Sequence, residues 1–519
     1  FGLKPRMNNF LTLCQRSAVI FSIIFTVVAC DKLDSPKPIS PQVETPKNTQ
    51  LESTRVELKR GVYGDLTLQP GQAQSEEQTQ LLRDLFEGLT AYDSQGNLVP
   101  AVAESWQTKD NKTWIFTLRE NAQWSNGEAL TASDFVQSWQ ALSQSESPLK
   151  NYLAFINLKN AKAVLEKTLT VESLGLFAEN DRTLRIELDK ASSYLPSMLA
   201  HVSLLPRYTK STETLISNGA YQLQSQAENQ YFLTANLYYW AKEKVIFQQV
   251  KYQKIAADAD LSNFDVVLNP KKVVQNIQDY PQLCTYFYEF NLADPMLQKS
   301  AVRKAIASMV STKNLVADIT HLHPSNTFLP KSMLGEQESV WEPVVTEQLL
   351  SQNQISETRP LKLRIRYDDS SLNQTIATRL NRQLSQSDLL RVENQGMSWQ
   401  ELQTARTKGD FQLIRSGWCA DFNDPVAFLN LFYSKSPDNK NGYKNAEFDR
   451  LFESAMTTTS EKVRLENYAK LKGIVQQEYL VLPIFQYSTP VYLAPSIMGA
   501  QVNSVGTIYS KDLWRKVKN

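Results

Sequence analysis

The sequence predicts a multidomain protein of the α/β or α+β class. At 519 residues the chain carries about three ordinary domains' worth of core. Apolar stripes at helical spacing alternate with short segments of period two from about residue 55 onward, and no repeat of fixed period stands out. The charge balance removes one class of function: 55 Lys and Arg against 54 Asp and Glu leave a net charge of +1, with no basic excess to bind nucleic acid by counterion release. Aromatic residues, 21 Tyr, 22 Phe and 9 Trp, are interspersed with charge and suit both cores and ligand-lined clefts.

The amino-terminal segment stands outside the fold. Translation is expected to start at Met7, with Phe1 to Arg6 upstream of it. Ala18 to Ala29 is almost wholly apolar and follows Arg16, the pattern of a signal peptide. Its length, about a dozen residues, falls short of the ~20 that span a bilayer as a helix. It ends in Val27-Val28-Ala29-Cys30, which resembles the lipobox of bacterial lipoproteins, so residues 1–30 are expected to form a leader with Cys30 as the lipidated first residue of the mature chain. Asp31 resembles a signal for retention in the inner membrane. Residues 31–54, rich in Pro, Lys, Ser, Thr and Gln, cannot build a core and read as a flexible tether. With Cys14 in the leader and Cys30 lipidated, Cys284 and Cys419 remain, most simply as a disulfide in an oxidising compartment. Two Cys and three His, including His321-Leu322-His323, lack the compact spacing of a structural zinc site, and no metal or cofactor is expected.

Along the mature chain, a strand is expected at about Arg55 to Val62. Leu81, Leu82, Leu85, Phe86 and Leu89 then give a helical stripe over Glu77 to Leu89, with Gly88 near its end as a cap. Val102 to Trp106 and Thr113 to Arg119 read as a hairpin, and a helix opens with Thr131 or Ser133 as its cap. Thr183 to Leu188 alternates as a strand, and Ser193 to Leu199 is a short amphipathic piece. Gly219 to Tyr239 reads as two strands, with Leu237 among their apolar positions. Strands are expected at Phe264 to Asn269 and Thr285 to Asn291, followed by a helix through Val302, Ala305, Ile306, Met309 and Val310. Leu361 to Tyr367 alternates and Ile376 to Leu384 is helical. The helices Glu447 to Met456 and Val463 to Tyr479 precede strands near Leu482 to Gln486 and Val491 to Leu493.

The most unusual stretch is Arg415-Ser416-Gly417-Trp418-Cys419-Ala420-Asp421-Phe422-Asn423-Asp424-Pro425, which gathers a cation, an aromatic, a half-cystine and two carboxylates. Phe411 to Ile414 alternates as a strand and Asn423-Asp424-Pro425 reads as a turn, so the chemistry sits at a strand end. Charged side chains are expensive to bury without partners. Two readings stand side by side: a site that meets a charged ligand, and a structural salt-bridge network.

The segments "LLRDLFEGLTAYDSQGNLVPAVAESW", "TWIFTLRENAQWSNGEALTASDFVQSWQ" and "NGAYQL" resemble those of the family 5 extracellular solute-binding proteins, whose best-known members are oligopeptide-binding proteins of ABC importers. The likeness runs from about Leu58 to Trp514. It implies an α/β, two-lobed type II periplasmic-binding-protein fold with an additional domain and a ligand cleft between the lobes. Residues 55–86, 207–283 and 488–519 would form lobe I, 87–206 the additional domain, and 284–487 lobe II. In the oligopeptide binders a Trp-Cys-Ala-Asp segment supplies the aspartate that holds the ligand's ammonium, which implies that role for Asp421. The resemblance likewise implies that Arg406 and Arg415 face the ligand's carboxylate, that Trp418 lines the pocket, and that Cys419 bonds to Cys284 in the strand "LCTYFYE". A histidine used by some members stands here as Asn373, and a cleft tyrosine as Leu149, near Tyr152; these departures leave peptide length and selectivity open.

The expected function is capture of short peptides by a monomeric, lipid-anchored receptor that delivers them to an ABC permease in the inner membrane. Alternatives with the same fold bind murein peptides, a nickel chelate or haem. A secreted hydrolase is a different class, for which the chain offers no Gly-x-Ser-x-Gly elbow and no His-Glu-x-x-His motif.

Overall fold

The computed structural model describes residues 57–210, 213–334 and 345–516. The leader, the tether, Cys30 and Arg55 lie outside the described residues. The two larger sheets of the described residues are built from β1 (Glu57–Val62), β2 (Ala103–Thr108), β3 (Thr113–Leu118), β4 (Leu176–Asn180), β5 (Thr183–Glu187), β6 (Tyr221–Ala227), β7 (Gln230–Ala235), β8 (Gln249–Lys254), β9 (Val266–Leu268), β10 (Ile277–Phe290), β11 (Leu322–Pro324), β12 (Leu361–Asp368), β13 (Leu390–Met397), β14 (Leu413–Cys419) and β15 (Val481–Leu493). The principal sheet has eleven of them, in the order β13-β12-β14-β10-β15-β9-β1-β8-β7-β6, with β11 also paired to β15. A separate four-stranded antiparallel sheet runs β2-β3-β5-β4. Parallel pairing is confined to two places, β1 with β8 and β9, and β12 with β13 and β14. Each parallel group marks an α/β unit of its own.

Two strands join these units. β10 and β15, 14 and 13 residues long, pair antiparallel from Ile277↔Tyr492 to Glu289↔Val481. β9 pairs with the last residues of β15, which lie opposite the first half of β10, and β14 pairs with the second half of β10, which lies opposite the first half of β15, so one continuous ladder crosses from one α/β unit to the other. The register shifts twice, between Pro281 and Thr285 and between Tyr286 and Phe287. The sequence pattern had divided β15 into two strands, near Leu482 to Gln486 and Val491 to Leu493, with Pro490 between them. Pro483 lies opposite Phe287 at one of the shifts, a setting in which strands tolerate a residue without an N–H.

The carboxy-terminal segment returns to β1. Buried Arg60 donates to the Ile508 carbonyl at 2.8 Å and to Ser510 Oγ at 2.9 Å. Asp84, on helix α1 (Glu76–Leu85), accepts from the Ser510 N–H at 3.1 Å and from the Tyr252 hydroxyl at 2.7 Å. These bonds satisfy a buried cation and a buried carboxylate together, the condition for keeping either inside.

Helix α1 ends at Leu85, four residues before the stripe predicted, and Gly88 plays no capping part. The cap comes from a distant segment. The N–H groups of Asn218 and Gly219 both reach the Leu85 carbonyl, while the Asn218 amide exchanges hydrogen bonds with the backbone of Glu87 at 3.1 and 2.8 Å. Gly219 is required by proximity, since a Cβ there would lie 2.6 Å from the Asp84 carbonyl oxygen. Strand β7 stops at Ala235 because buried Asn236 turns back, donating to the Gly219 carbonyl at 2.9 Å. Leu237, expected inside, is therefore 70% exposed. The helix at Thr131 is capped by that residue, through a capping box with Asp134, and not by Ser133.

The four-stranded sheet packs its apolar face on helix α2 (Ala132–Gln144), and the resulting core is continuous with residues near Asp421. Asn111 donates to the Thr458 carbonyl at 2.7 Å, Ser193 Oγ to the Ala455 carbonyl at 3.2 Å, and Arg464 to the Ser193 carbonyl at 3.2 Å. Among the described residues no helix is long and apolar enough to cross a membrane. Because Gly219 seats the "NGAYQL" segment against α1, Gly219→Ala should cost about 2–3 kcal/mol; an unchanged midpoint in urea unfolding would contradict the close approach.

Candidate functional site

Strand β14 is the frame of the site. It pairs with β10 in a register that sets Cys419 opposite Cys284 and Arg415 opposite Tyr288. The two cysteines are bonded, with Cα atoms 4.1 Å apart and 135 residues of separation. The bridge closes the strand at its end, and the next two residues, Ala420 and Asp421, leave the sheet from that fixed point. In the chain-entropy picture a loop of this length contributes roughly 4–5 kcal/mol.

Asp421 has no hydrogen bond or ion pair among the described residues, although it is only partly exposed. Loss of water around the carboxylate pushes its pKa up to about 6. Its charge reaches Tyr152, whose own pKa rises first through burial and then through Asp421. Aromatic rings line this neighbourhood. Phe422 stacks on Tyr194 at 5.2 Å with planes 5° apart, and Phe155, 48% exposed, lies 6.2 Å from Phe422 and 5.4 Å from Tyr152. A desolvated carboxylate beside aromatic faces is suited to an ammonium ion, which both attract.

The other residues nominated by the sequence are held differently. Trp418 is partly buried and donates through Nε1 to the Ala427 carbonyl at 2.7 Å, so its indole is fixed beside the site. Arg415 Nη1 lies 3.3 Å from Asp368 Oδ1, and its guanidinium sits 5.0 Å from the centre of the Tyr286 ring. Arg406, on helix α3 (Trp399–Lys408), forms a two-pronged pair with Glu289 of β10, one bond of which, from Nε to Oε2, measures 3.2 Å. Tyr152 gives its hydroxyl to the Met198 carbonyl at 3.0 Å and stacks on His201 at 4.0 Å. Asn373 is buried in the first turn of the helix Ser371–Leu384, its N–H accepted by Ser370 Oγ. Asp421 and Tyr152 are thus brought together, while Arg406 and Arg415 are joined to carboxylates of their own sheet.

Three features were missed. Asp424, read as a plain turn residue, is a buried anchor: it accepts from the Tyr468 hydroxyl at 2.5 Å and faces Arg464 at 3.8 Å. Glu289 and Asp368, the partners of the two arginines, carried no local signal beyond being acidic residues on alternating strands. The Tyr194–Phe422 stack joins residues remote in sequence. Among the described residues no group of three or more His, Cys, Asp or Glu could hold a metal ion. His321 instead lies 2.7 Å from Asp279. A cavity of about 550 Å³ lined by Gln72, Ser138, Glu146 and Arg207, among others, contains none of the nominated residues.

Two α/β units joined by crossing strands are the architecture of the two-lobed, type II periplasmic-binding-protein fold. Residues 97–440 match the model of the bacterial extracellular solute-binding proteins, family 5, and the chain belongs to that family. It is 90% identical to a putative binding protein of Haemophilus influenzae, over 99% of this chain and 100% of that one. It is 30% identical to the periplasmic murein peptide-binding protein MppA of Escherichia coli, over 94% of this chain and 98% of the relative. Among solved structures, the unliganded open form of MppA, a murein tripeptide binding protein, superposes with a TM-score of 0.83 at 28% identity, covering 89% of this chain and 98% of that one. A second structure of the Escherichia coli protein, at the same identity and with 88% and 98% covered, gives 0.60. The Haemophilus influenzae OppA complex with the peptide RPPGFSPFR also gives 0.60, at 25% identity with 90% and 100% covered.

The raised pKa of Asp421 carries a stability signature. Its folded value of about 6 exceeds the ordinary 3.8, so the native state holds the extra proton between those values and stability falls as pH rises through that window. Asp421→Asn should therefore stabilise the unliganded protein by about 2 kcal/mol at pH 8, with the gain vanishing near pH 3. Denaturant titrations at the two pH values check this, and a destabilised variant at pH 8 would contradict it.

Proposed function

We propose that this chain is the substrate-binding protein of an ABC importer that captures short peptides by their free amino terminus and passes them to a membrane permease. The observation that carries the reading is Asp421: a carboxylate without a partner, stripped of part of its water, fixed by the Cys284–Cys419 bridge and flanked by aromatic rings. A ligand ammonium restores what the carboxylate lacks. Trp418 and Phe155 are the surfaces available to the first side chains, with Tyr152 supporting Phe155 from behind.

We assign lobe I to residues 55–86, 207–283 and 488–519, the additional domain to 87–206, and lobe II to 284–487. The return of Ile508 and Ser510 to Arg60 and the division of β10 and β15 between two parallel groups support these bounds. Likeness of 0.83 to an unliganded open form, against 0.60 to a peptide complex, supports an open arrangement of the lobes that closes on ligand. Binding requires no covalent chemistry, and the family is one of solute-binding proteins. The protein would work in the periplasm as a monomer, tethered through lipid on Cys30. Murein peptides are a second reading, favoured by the likeness to MppA.

Calorimetry of the ligand-stripped soluble domain against peptides of two to five residues, with a murein tripeptide as competitor, tests the proposal. Free peptides should bind, and N-acetylation or Asp421→Asn should weaken binding by about 2–3 kcal/mol. Because the pair needs both an ionised carboxylate and a protonated amino end, affinity should be greatest near pH 7, fall about tenfold per unit below the value of about 6, and fall again above about pH 8 as the peptide's α-amino group loses its proton. Equal affinity at pH 5 and pH 7.5 would remove Asp421 from the site, and peptide cleavage detected by mass spectrometry would overturn the binding-only role.

A further inference from the structure

We infer that His321 and Asp279 form a proton-dependent clasp across the hinge, which holds the empty protein open and tightens as pH falls. The inference goes beyond peptide capture and rests on the two-lobed, open arrangement proposed above. The two residues belong to different units. Asp279 lies in the first half of β10 next to Tyr280, which is buried in one core with Leu58, Val250 and Val491. His321 follows Leu315 and Val316, buried in another core with Leu363 and Ile365 of β12, and Arg379 ties that segment down by donating to the carbonyls of Leu315 and Ala317 at 2.9 and 2.7 Å. The ladder of β10 and β15 makes its first register shift just after Asp279, between Pro281 and Thr285. Beside that irregular point His321 Nδ1 lies 2.7 Å from Asp279 Oδ1, and His323 Nε2 lies 3.9 Å from Oδ2.

Two observations set this contact apart from an ordinary surface pair. His321 holds a left-handed backbone, φ 63°, and its carbonyl is fixed there by the N–H and Oγ of Ser488, at 3.2 and 2.9 Å, on the boundary assigned between the lobes. The chain's three histidines are also divided: burial pushes His201 down to about 3, so among the histidines only the two at the hinge, with side chains 38% and 52% exposed, remain open to protons from solvent. The groups facing these imidazoles are Asp279 from β10, the neutral side chains of Gln486 and Ser488 from β15, exposed Asp318 in the preceding turn, and each other. Tyr487 of β15 is hydrogen-bonded to Arg415. A proton on either imidazole turns its contact with Asp279 into an ion pair, and the carboxylate offers one oxygen to each. Closure turns the units about the register shift and changes the separation of groups on its two sides, whereas a hydrogen bond tolerates only a few tenths of an ångström. The open arrangement therefore binds the proton more tightly, and by linkage acid favours that arrangement. The gain is present on the acid side of the imidazole range and is lost as pH rises through it. Exposure of both partners keeps the effect to about threefold.

The test is pulsed EPR on the empty protein, with spin labels at Gln226→Cys and Glu393→Cys, exposed positions on strands at opposite ends of the principal sheet, and with Cys14→Ser and Cys30→Ser to remove other thiols. At pH 5.5 His321→Asn, which suits a left-handed backbone and carries no charge, should raise the closed, short-distance fraction about threefold over the protein with His321 intact. At pH 8 the two should agree within about 1.5-fold. Asp279→Asn should match His321→Asn at pH 5.5, and the double variant should add nothing further. Equal closed fractions at pH 5.5, or a ratio that does not change with pH, overturns the inference. Peptide affinity supplies a second arm, because the ratio of variant to wild-type affinity cancels the titration of Asp421 that both share; it should rise about threefold from pH 8 to pH 5.5. Peptide binding with a ratio that stays constant removes the clasp and leaves the proposed function standing. Absence of peptide binding removes the proposed function, and the EPR ratio then decides the clasp by itself.

Discussion

The antiparallel pairing of Ile277–Phe290 with Val481–Leu493 is the constraint from which the remaining geometry follows. These strands belong to both α/β units at once, so their ladder fixes the units to a common axis while leaving two register shifts at which the backbone is irregular. The same pairing carries Cys284 to the point where β14 ends and Glu289 to the point where it begins. Asp421 is therefore located by a chain of backbone hydrogen bonds and one covalent bond, with little left to side-chain packing. A site built in this way can keep its shape while the lobes move around it.

Electrostatics divides the stretch that follows into two kinds of residue. Arg415, Arg406 and Asp424 each face an opposite charge within the protein. Asp421 does not, and burial alone pushes its pKa up to about 6. Leaving one carboxylate in this condition opposes stability of the empty protein, and a cationic ligand offsets it. Such a local violation of the rule that buried charges are paired is the pattern expected of a functional site. The aromatic contacts across Phe155, Phe422 and Tyr194 supply a low-dielectric wall, and hydrogen bonds join Asn111 and Ser193 to the helices Ala446–Thr457 and Glu461–Gln477 through Thr458, Ala455 and Arg464.

Local periodicity made much of the fold legible. The alternation at Thr113 to Arg119 and the helical stripe at Val302 to Val310 are short-range patterns that tertiary contacts reinforce. The failures were also physical. The end of α1 is set by Asn218 and Gly219, more than a hundred residues away, and Pro490, which lay between the two expected strands, sits within the β15 ladder opposite Asp279. Within the site, the family resemblance of Trp418 to Asp421 pointed to the disulfide and the free carboxylate. It could not reveal that Arg406 is neutralised by Glu289, 117 residues earlier, because a salt bridge between a helix and a distant strand leaves no periodic trace in either segment. The two arginines were read by type, and their chemistry is decided by their neighbours.

Asp421 is desolvated and unpaired in the empty protein, and the proposed function makes a ligand ammonium its partner. The side-chain carboxyl carbon of a ¹³C-labelled aspartate can be followed by NMR through a pH titration, with Asp421 assigned by its disappearance in Asp421→Asn, first for the empty protein and then with peptide bound. The account predicts an apparent pKa of about 6 in the empty protein and a value below the ordinary aspartate range in the complex, with protons released on binding. An ordinary value in the empty protein that does not move when peptide binds would contradict it.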